Sequence, residues 1–166
     1  MDPFSKAILH ELLPVEKEPP VKRSTKDKRP DALDHLSRPV LLERAAYLRK
    51  LAAVSDGSAS EVLKEYPQHA VHLLYRSRSG AAEFHENFAD LFFVLEGRAA
   101  LVTGGTIVAP KTIAPGEIRG ASVEEGTRQE LRAGDIAHVP AGLPHQMIVS
   151  GEASIICLVM KIQQSV

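Results

Sequence analysis

Glu83, His85 and Asn87 recur at a spacing of two. On an extended strand their side chains share one face, while Phe84 and Glu86 point to the other. A carboxylate and an imidazole turned together into a protein interior need a partner, because a buried charge is costly unless it is paired or bound to a metal. Such a face implies a bound ion, a ligand or trapped water. Where no ion holds it, a carboxylate in an apolar cavity has its pKa raised toward neutrality, which makes Glu83 the candidate for proton transfer.

A second run of residues closes on another imidazole. Gly134 is followed after five residues by Pro140-Ala141-Gly142, and His145 comes three positions later. This frame resembles the second motif of the cupin superfamily, matched at Gly134, Pro140, Gly142 and His145. In that family the final histidine is a metal ligand. The asparagine that ends the family pattern is missing, since Gln146, Met147, Ile148 and Val149 follow. The first cupin motif is degenerate here. Asp90 and Gly97 keep its carboxylate-to-glycine separation, which puts His85 at its second histidine and Glu83 at its first. The ligand set that the resemblance implies is Glu83, His85, Asp90 and His145. A rival register, with His85 first and Asn87 second, makes Asn87 the alternate to Glu83. The resemblance spans about residues 69–162.

Two imidazoles with one or two carboxylates suit a divalent transition metal, and geometry rather than ligand identity selects among Mn, Fe, Zn, Ni and Co. Glu83 in place of a histidine makes the site harder and more anionic, which favours Mn or Fe, with Zn retained. Plainer roles exist for the same residues. His69, His72 and His138 read as satisfied polar side chains, Asp90 can accept backbone N–H bonds at a turn, and Glu83 can face solvent if its strand is rotated. Phe92, Val94, Leu101, Met147 and Ile156 are the expected apolar wall of the cavity. Arg119 and Arg128 could hold a carboxylate or phosphate, and otherwise are solvated surface charge.

The elements that must position these groups follow from the hydrophobic periodicity. Leu41, Ala45, Leu48 and Leu51 recur at helical spacing over 39–54, with Glu43, Arg44, Arg49 and Lys50 on the opposite face. Ser58 and Glu61 have capping-box spacing, predicting a second short helix over 58–66 that Pro67 stops. From residue 69 onward the texture is short β-rich runs: 69–76, 82–86, 91–95, 99–103, 118–123, 129–131, 136–139, 145–149 and 154–162. Glu96-Gly97 reads as a tight hairpin, Gly104-Gly105 as the next reversal, and 108–117 as a long loop. The expected fold is mainly β: an antiparallel double-stranded β-helix, the jelly-roll barrel of the cupins, with two N-terminal helices. Three regions result: an arm and flexible linker over 1–36, a helical segment over 37–68 packing on the barrel, and the barrel itself over 69–166.

Composition narrows the function classes. Twenty basic against 21 acidic residues in 166 give a net charge of −1, so no global field gathers the chain onto nucleic acid or an anionic membrane. No apolar run approaches the roughly 20 residues of a membrane span and no secretory h-region opens the chain, so a cytoplasmic location is expected. Cys157, the single cysteine, lies in an apolar run and reads as a small core residue. The expected function is a small cupin that binds a divalent metal and acts on a small oxygen-bearing molecule, as a lyase, isomerase or dioxygenase. The alternative is a non-catalytic small-molecule-binding or structural cupin dimer with a degenerate metal site. A homodimer is expected in either case.

Overall fold

A computed structural model describes residues 35–164. The arm expected over 1–36 therefore lies, except for its last two residues, outside the described residues. Among the described residues one helix, α1 (Arg38–Ala53), precedes twelve strands: β1 (Ser58–Glu65), β2 (His69–Arg76), β3 (Ala82–His85), β4 (Phe88–Thr103), β5 (Thr106–Val108), β6 (Lys111–Ala114), β7 (Glu117–Gly120), β8 (Ser122–Glu124), β9 (Thr127–Arg132), β10 (Ile136–Val139), β11 (His145–Ile148) and β12 (Ile155–Gln163).

The helix follows its apolar periodicity. Pro39 occupies its first turn, where no N–H is needed, and Leu41, Ala45, Leu48 and Ala52 form the buried stripe. That stripe packs on Leu73, Tyr75, Leu95 and Ile156, which point outward from the sheet. Burial of Leu41 and Leu48 contributes about 2 kcal/mol each.

The second predicted helix is absent. Residues 58–65 form β1, paired antiparallel with β2 from Ser58↔Arg76 to Glu65↔Ala70. Backbone pairing to the open edge of β2 outweighs the local capping signal, and Gly57 at φ 89° turns the chain back for it. Glu61 caps nothing; its carboxylate accepts from Arg44 of α1 at 2.7 and 2.6 Å.

The fold is otherwise mainly β and antiparallel, a cupin-like half-barrel in the order β1-β2-β12-β4-β11-β3-β7-β6, with β9 and β10 also on β4 and a separate β5-β8 pair. β4 joins the two layers. Its first part pairs with β12 and β10, and its second with β9 and β11. The expected Glu96-Gly97 hairpin is instead a bend inside this one strand. Gly97 has φ 79°, the register against β12 slips beside it, and a Cβ there would stand 1.9 Å from the Ser154 carbonyl oxygen. A side chain is excluded by both the conformation and the contact.

Two further expectations change. The segment 108–117 contains β6, which pairs with β7. The predicted run 118–123 is cut at Gly120 into β7 and β8, whose partners differ. The core between the layers takes Phe92, Val94, Ile155, Cys157 and Val159 from one side and Leu101, Leu131 and Met147 from the other. Ile156 points to the helix instead, so it does not line the cavity.

Candidate metal centre

β3 runs beside both β7 and β11, and its register places the site. Glu83 lies opposite Arg119 on one side and opposite His145 on the other, while His85 lies opposite Glu117. Asp90 enters from the start of β4. One donor atom each from Glu83, His85, Asp90 and His145 fall within 4.8 Å of one another. His85 Nε2 stands 3.2 Å from Glu83 Oε2 and 3.4 Å from Asp90 Oδ2; His145 Nε2 stands 3.8 and 3.3 Å from the same two atoms. His85, Asp90 and His145 are 3, 2 and 3% exposed. Asn87 lies exposed in the bend after β3, so the face expected to hold Glu83, His85 and Asn87 ends at His85.

Both imidazoles are held from behind. His85 Nδ1 lies 2.5 Å from a Glu117 oxygen, and His145 Nδ1 donates to the Leu143 carbonyl at 3.2 Å. A carbonyl only accepts, so Nδ1 carries a proton, and Nε2 is the nitrogen turned toward the carboxylates. That Nε2 is buried with no hydrogen-bond partner. Rings anchored through one nitrogen with the other aimed at carboxylates have the arrangement of metal-ligating histidines. The donor set and this orphaned atom fit a divalent ion.

Three cations stand beside the same atoms. Lys161 Nζ reaches the Asp90 oxygens at 2.8 and 3.1 Å and lies 3.0 Å from His85 Nε2. Arg119 lies 2.5 Å from Glu83 Oε2, with Arg76 3.9 Å from Oε1. Burial pushes both carboxyls up, but Arg119, His85 and Lys161 hold Glu83 well below the usual carboxylate range, and Lys161, His145 and His85 do the same for Asp90. Glu83 therefore stays ionised rather than rising toward neutrality as a proton-transfer group would. Burial and Lys161 lower His85, while Asp90, Glu117 and Glu83 raise it, to about 10.

A cavity of about 80 Å³ opens onto this cluster. That is room for several waters or one small molecule. Phe92 and Met147 line it as expected, together with Leu74 and Val159, whereas Val94 and Leu101 belong to the core. Arg119 is part of β7 and of the cavity wall rather than surface charge, while Arg128 is exposed and pairs with Glu130 at 3.0 Å. His69 stacks on Tyr66 at 4.4 Å and His138 is exposed. His72 is not the satisfied polar residue expected: it lines the cavity, and its buried Nε2 lacks a hydrogen bond. Burial, then Lys161, lowers its pKa to about 4. Burial pushes the Cys157 thiol up to about 12, in keeping with a core role. Gln146, where the motif departs, is buried and ties Gly80 and Val123 together through bonds of 2.8 and 3.1 Å.

Sequence reasoning missed Glu117 and Lys161. Glu117 was visible only through the β3–β7 register. Lys161 had a local signal, since Cys157, Val159 and Lys161 alternate on one face of β12 and the first two are core.

No protein-family model and no curated protein matches the chain. Solved structures do. A conserved protein of Klebsiella pneumoniae with a double-stranded β-helix domain shares 22% identity over 65% of this chain and 79% of that one, with a TM-score of 0.49. The DMSP lyase DddQ of Ruegeria pomeroyi shares 18% over 67% and 49%, TM-score 0.47. KdgF of a Halomonas species shares 15% over 67% and 85%, TM-score 0.47.

Proposed function

We propose that the chain is a small cupin in which Glu83, His85, Asp90 and His145 bind one divalent transition metal and the adjoining cavity admits a small oxygen-bearing molecule. The observation that carries this reading is the convergence of two back-anchored imidazoles and two ionised carboxylates within 4.8 Å. Mn or Fe is favoured over Zn, Ni or Co, because two of the four donors are carboxylates. A bound ion supplies Lewis acidity toward a substrate oxygen, which accommodates lyase, isomerase and dioxygenase chemistry. The chain's own residues do the rest. Glu117 and the Leu143 carbonyl fix the ring orientations, Arg119 keeps Glu83 ionised, and Leu74, Phe92, Met147 and Val159 exclude water from the cavity wall. Association as a homodimer belongs to the same reading, with the exposed cross-strand pair Phe93 and Ile136 as an apolar contact.

One observation favours a non-catalytic alternative. The Lys161 ammonium already neutralises Asp90, so the cluster is also a stable polar lining for a binding barrel. Thermal unfolding separates the two. With Mn(II), Fe(II) or Zn(II) added, the metal reading requires a Tm rise that saturates at one ion per chain and disappears in a His85→Ala, His145→Ala variant. An unchanged Tm with every ion supports the binding barrel.

A further inference from the structure

Three cationic side chains, Arg76, Arg119 and Lys161, reach the same cavity from β2, β7 and β12. They face three carboxylates: Glu83 and Asp90 in the cavity wall and Glu117 behind His85. With His85 neutral, as a metal ligand must be, three against three cancel. A divalent ion bound among them leaves two positive charges over, in a chain whose whole net charge is −1. Uncompensated charge in a cavity whose walls include Arg76 at 6% exposure and Asp90 at 2% is costly, and a ligand of opposite sign removes that cost.

We propose that this cavity binds its ligand as an anion, a small carboxylic acid whose carboxylate is held by Arg76 and Arg119 while its short apolar body lies against Leu74, Phe92, Met147 and Val159. Both guanidiniums flank Glu83, one on each oxygen, at 3.9 and 2.5 Å. They thus form a cationic rim beside the metal-binding atoms. Arginine forks match the planar carboxylate bidentately, and the volume of about 80 Å³ limits the acid to a few carbons. The inference rests on the metal reading for the two charges that the ion adds, and it extends that reading from an oxygen-bearing molecule to an acid.

The test uses isobutyrate and its neutral isostere isobutyramide as probes, with binding measured by calorimetry on protein whose metal content is determined in the same samples. Isobutyrate is expected to bind at least tenfold more tightly than isobutyramide. Arg76→Gln is expected to remove that preference while metal content stays at the wild-type level, since Arg76 supplies no metal donor. Arg119→Gln is expected to remove it too, and because Arg119 also keeps Glu83 ionised its preference is compared at matched metal content. Arg119→Lys and Arg76→Lys, which keep the charge but not the fork, are each expected to retain part of it and guard against a folding failure at their own position. Equal affinity for acid and amide overturns the proposal. So does an acid affinity unchanged in both arginine variants, which would assign the acid to direct metal ligation. Acid preference in protein that takes up no metal leaves the arginine site standing and removes the metal reading alone. Metal-loaded protein without acid preference does the reverse.

Discussion

The ammonium of Lys161 lies 2.8 Å from Asp90 Oδ1 and 3.1 Å from Oδ2, bridging the two oxygens of a carboxylate that also faces both imidazoles. A metal ion needs the same lone pairs, so the two cations compete. In the metal-free protein Lys161 is the counter-charge of Asp90, and a bound ion must take over that role.

Replacing Lys161 by Met is therefore expected to act in opposite directions on two measurements. Denaturant unfolding of the metal-free protein loses about 3 kcal/mol, because Asp90 keeps its burial and loses its partner. Metal affinity, read by competition with a chelator, rises. Equal losses of stability and metal affinity would show that Lys161 does not compete with the ion.

Glu117 fixes the His85 ring through Nδ1 without offering an atom to the cluster. Glu117→Gln is expected to weaken metal binding by about 10- to 100-fold, as loss of a partner behind a ligating histidine does, while the fold remains intact. Wild-type affinity in this variant would mean that packing alone orients the ring.

Metal affinity is also expected to climb with pH. His85, raised to about 10 by Asp90, Glu117 and Glu83 against its burial, must lose its proton before Nε2 can ligate, so each ion bound releases a proton. Titration in buffers of different ionisation enthalpy measures that proton, and its absence would place His85 outside the ligand set.

His72 makes a separate prediction for acid stability. Its folded pKa is lowered to about 4, chiefly by burial and then by Lys161, whereas an unfolded histidine takes its proton near pH 6.5. Between those values the unfolded chain binds more protons, so stability falls as pH drops from 6.5 toward 4. His72→Leu is expected to spare on the order of 2 kcal/mol of that loss. The carboxylate contributions are common to both proteins and cancel. Parallel stability–pH curves would contradict the assignment.

The parts of the fold that the sequence made legible are those whose patterns are local. β2 and β10 begin and end where alternation and turn residues place them, and the apolar stripe of α1 reads directly from its spacing. The site was partly legible for the same reason, since Glu83 and His85 share a strand face and the Gly-Pro-Gly frame leads to His145. What was hidden depends on pairing between distant segments. Residues 58–65 carry a helix-start signal, and only the open edge of β2 makes them a strand. Gly97 has the composition of a hairpin, and only the approach of Ser154 shows it to be a bend in one long strand. Glu117 and Lys161 meet His85 and Asp90 across 32 and 71 residues of chain, and Asn87 loses its place because β3 ends at His85.

The most direct test of the central claim is elemental analysis of the full chain purified without an affinity tag from metal-supplemented medium, beside the His85→Ala, His145→Ala variant. Close to one Mn, Fe, Zn, Ni or Co per chain in the wild type, and none in the variant, is the predicted result. A wild type that is metal-free and cannot be loaded with any of these ions would contradict the account and leave Lys161 as the permanent partner of Asp90.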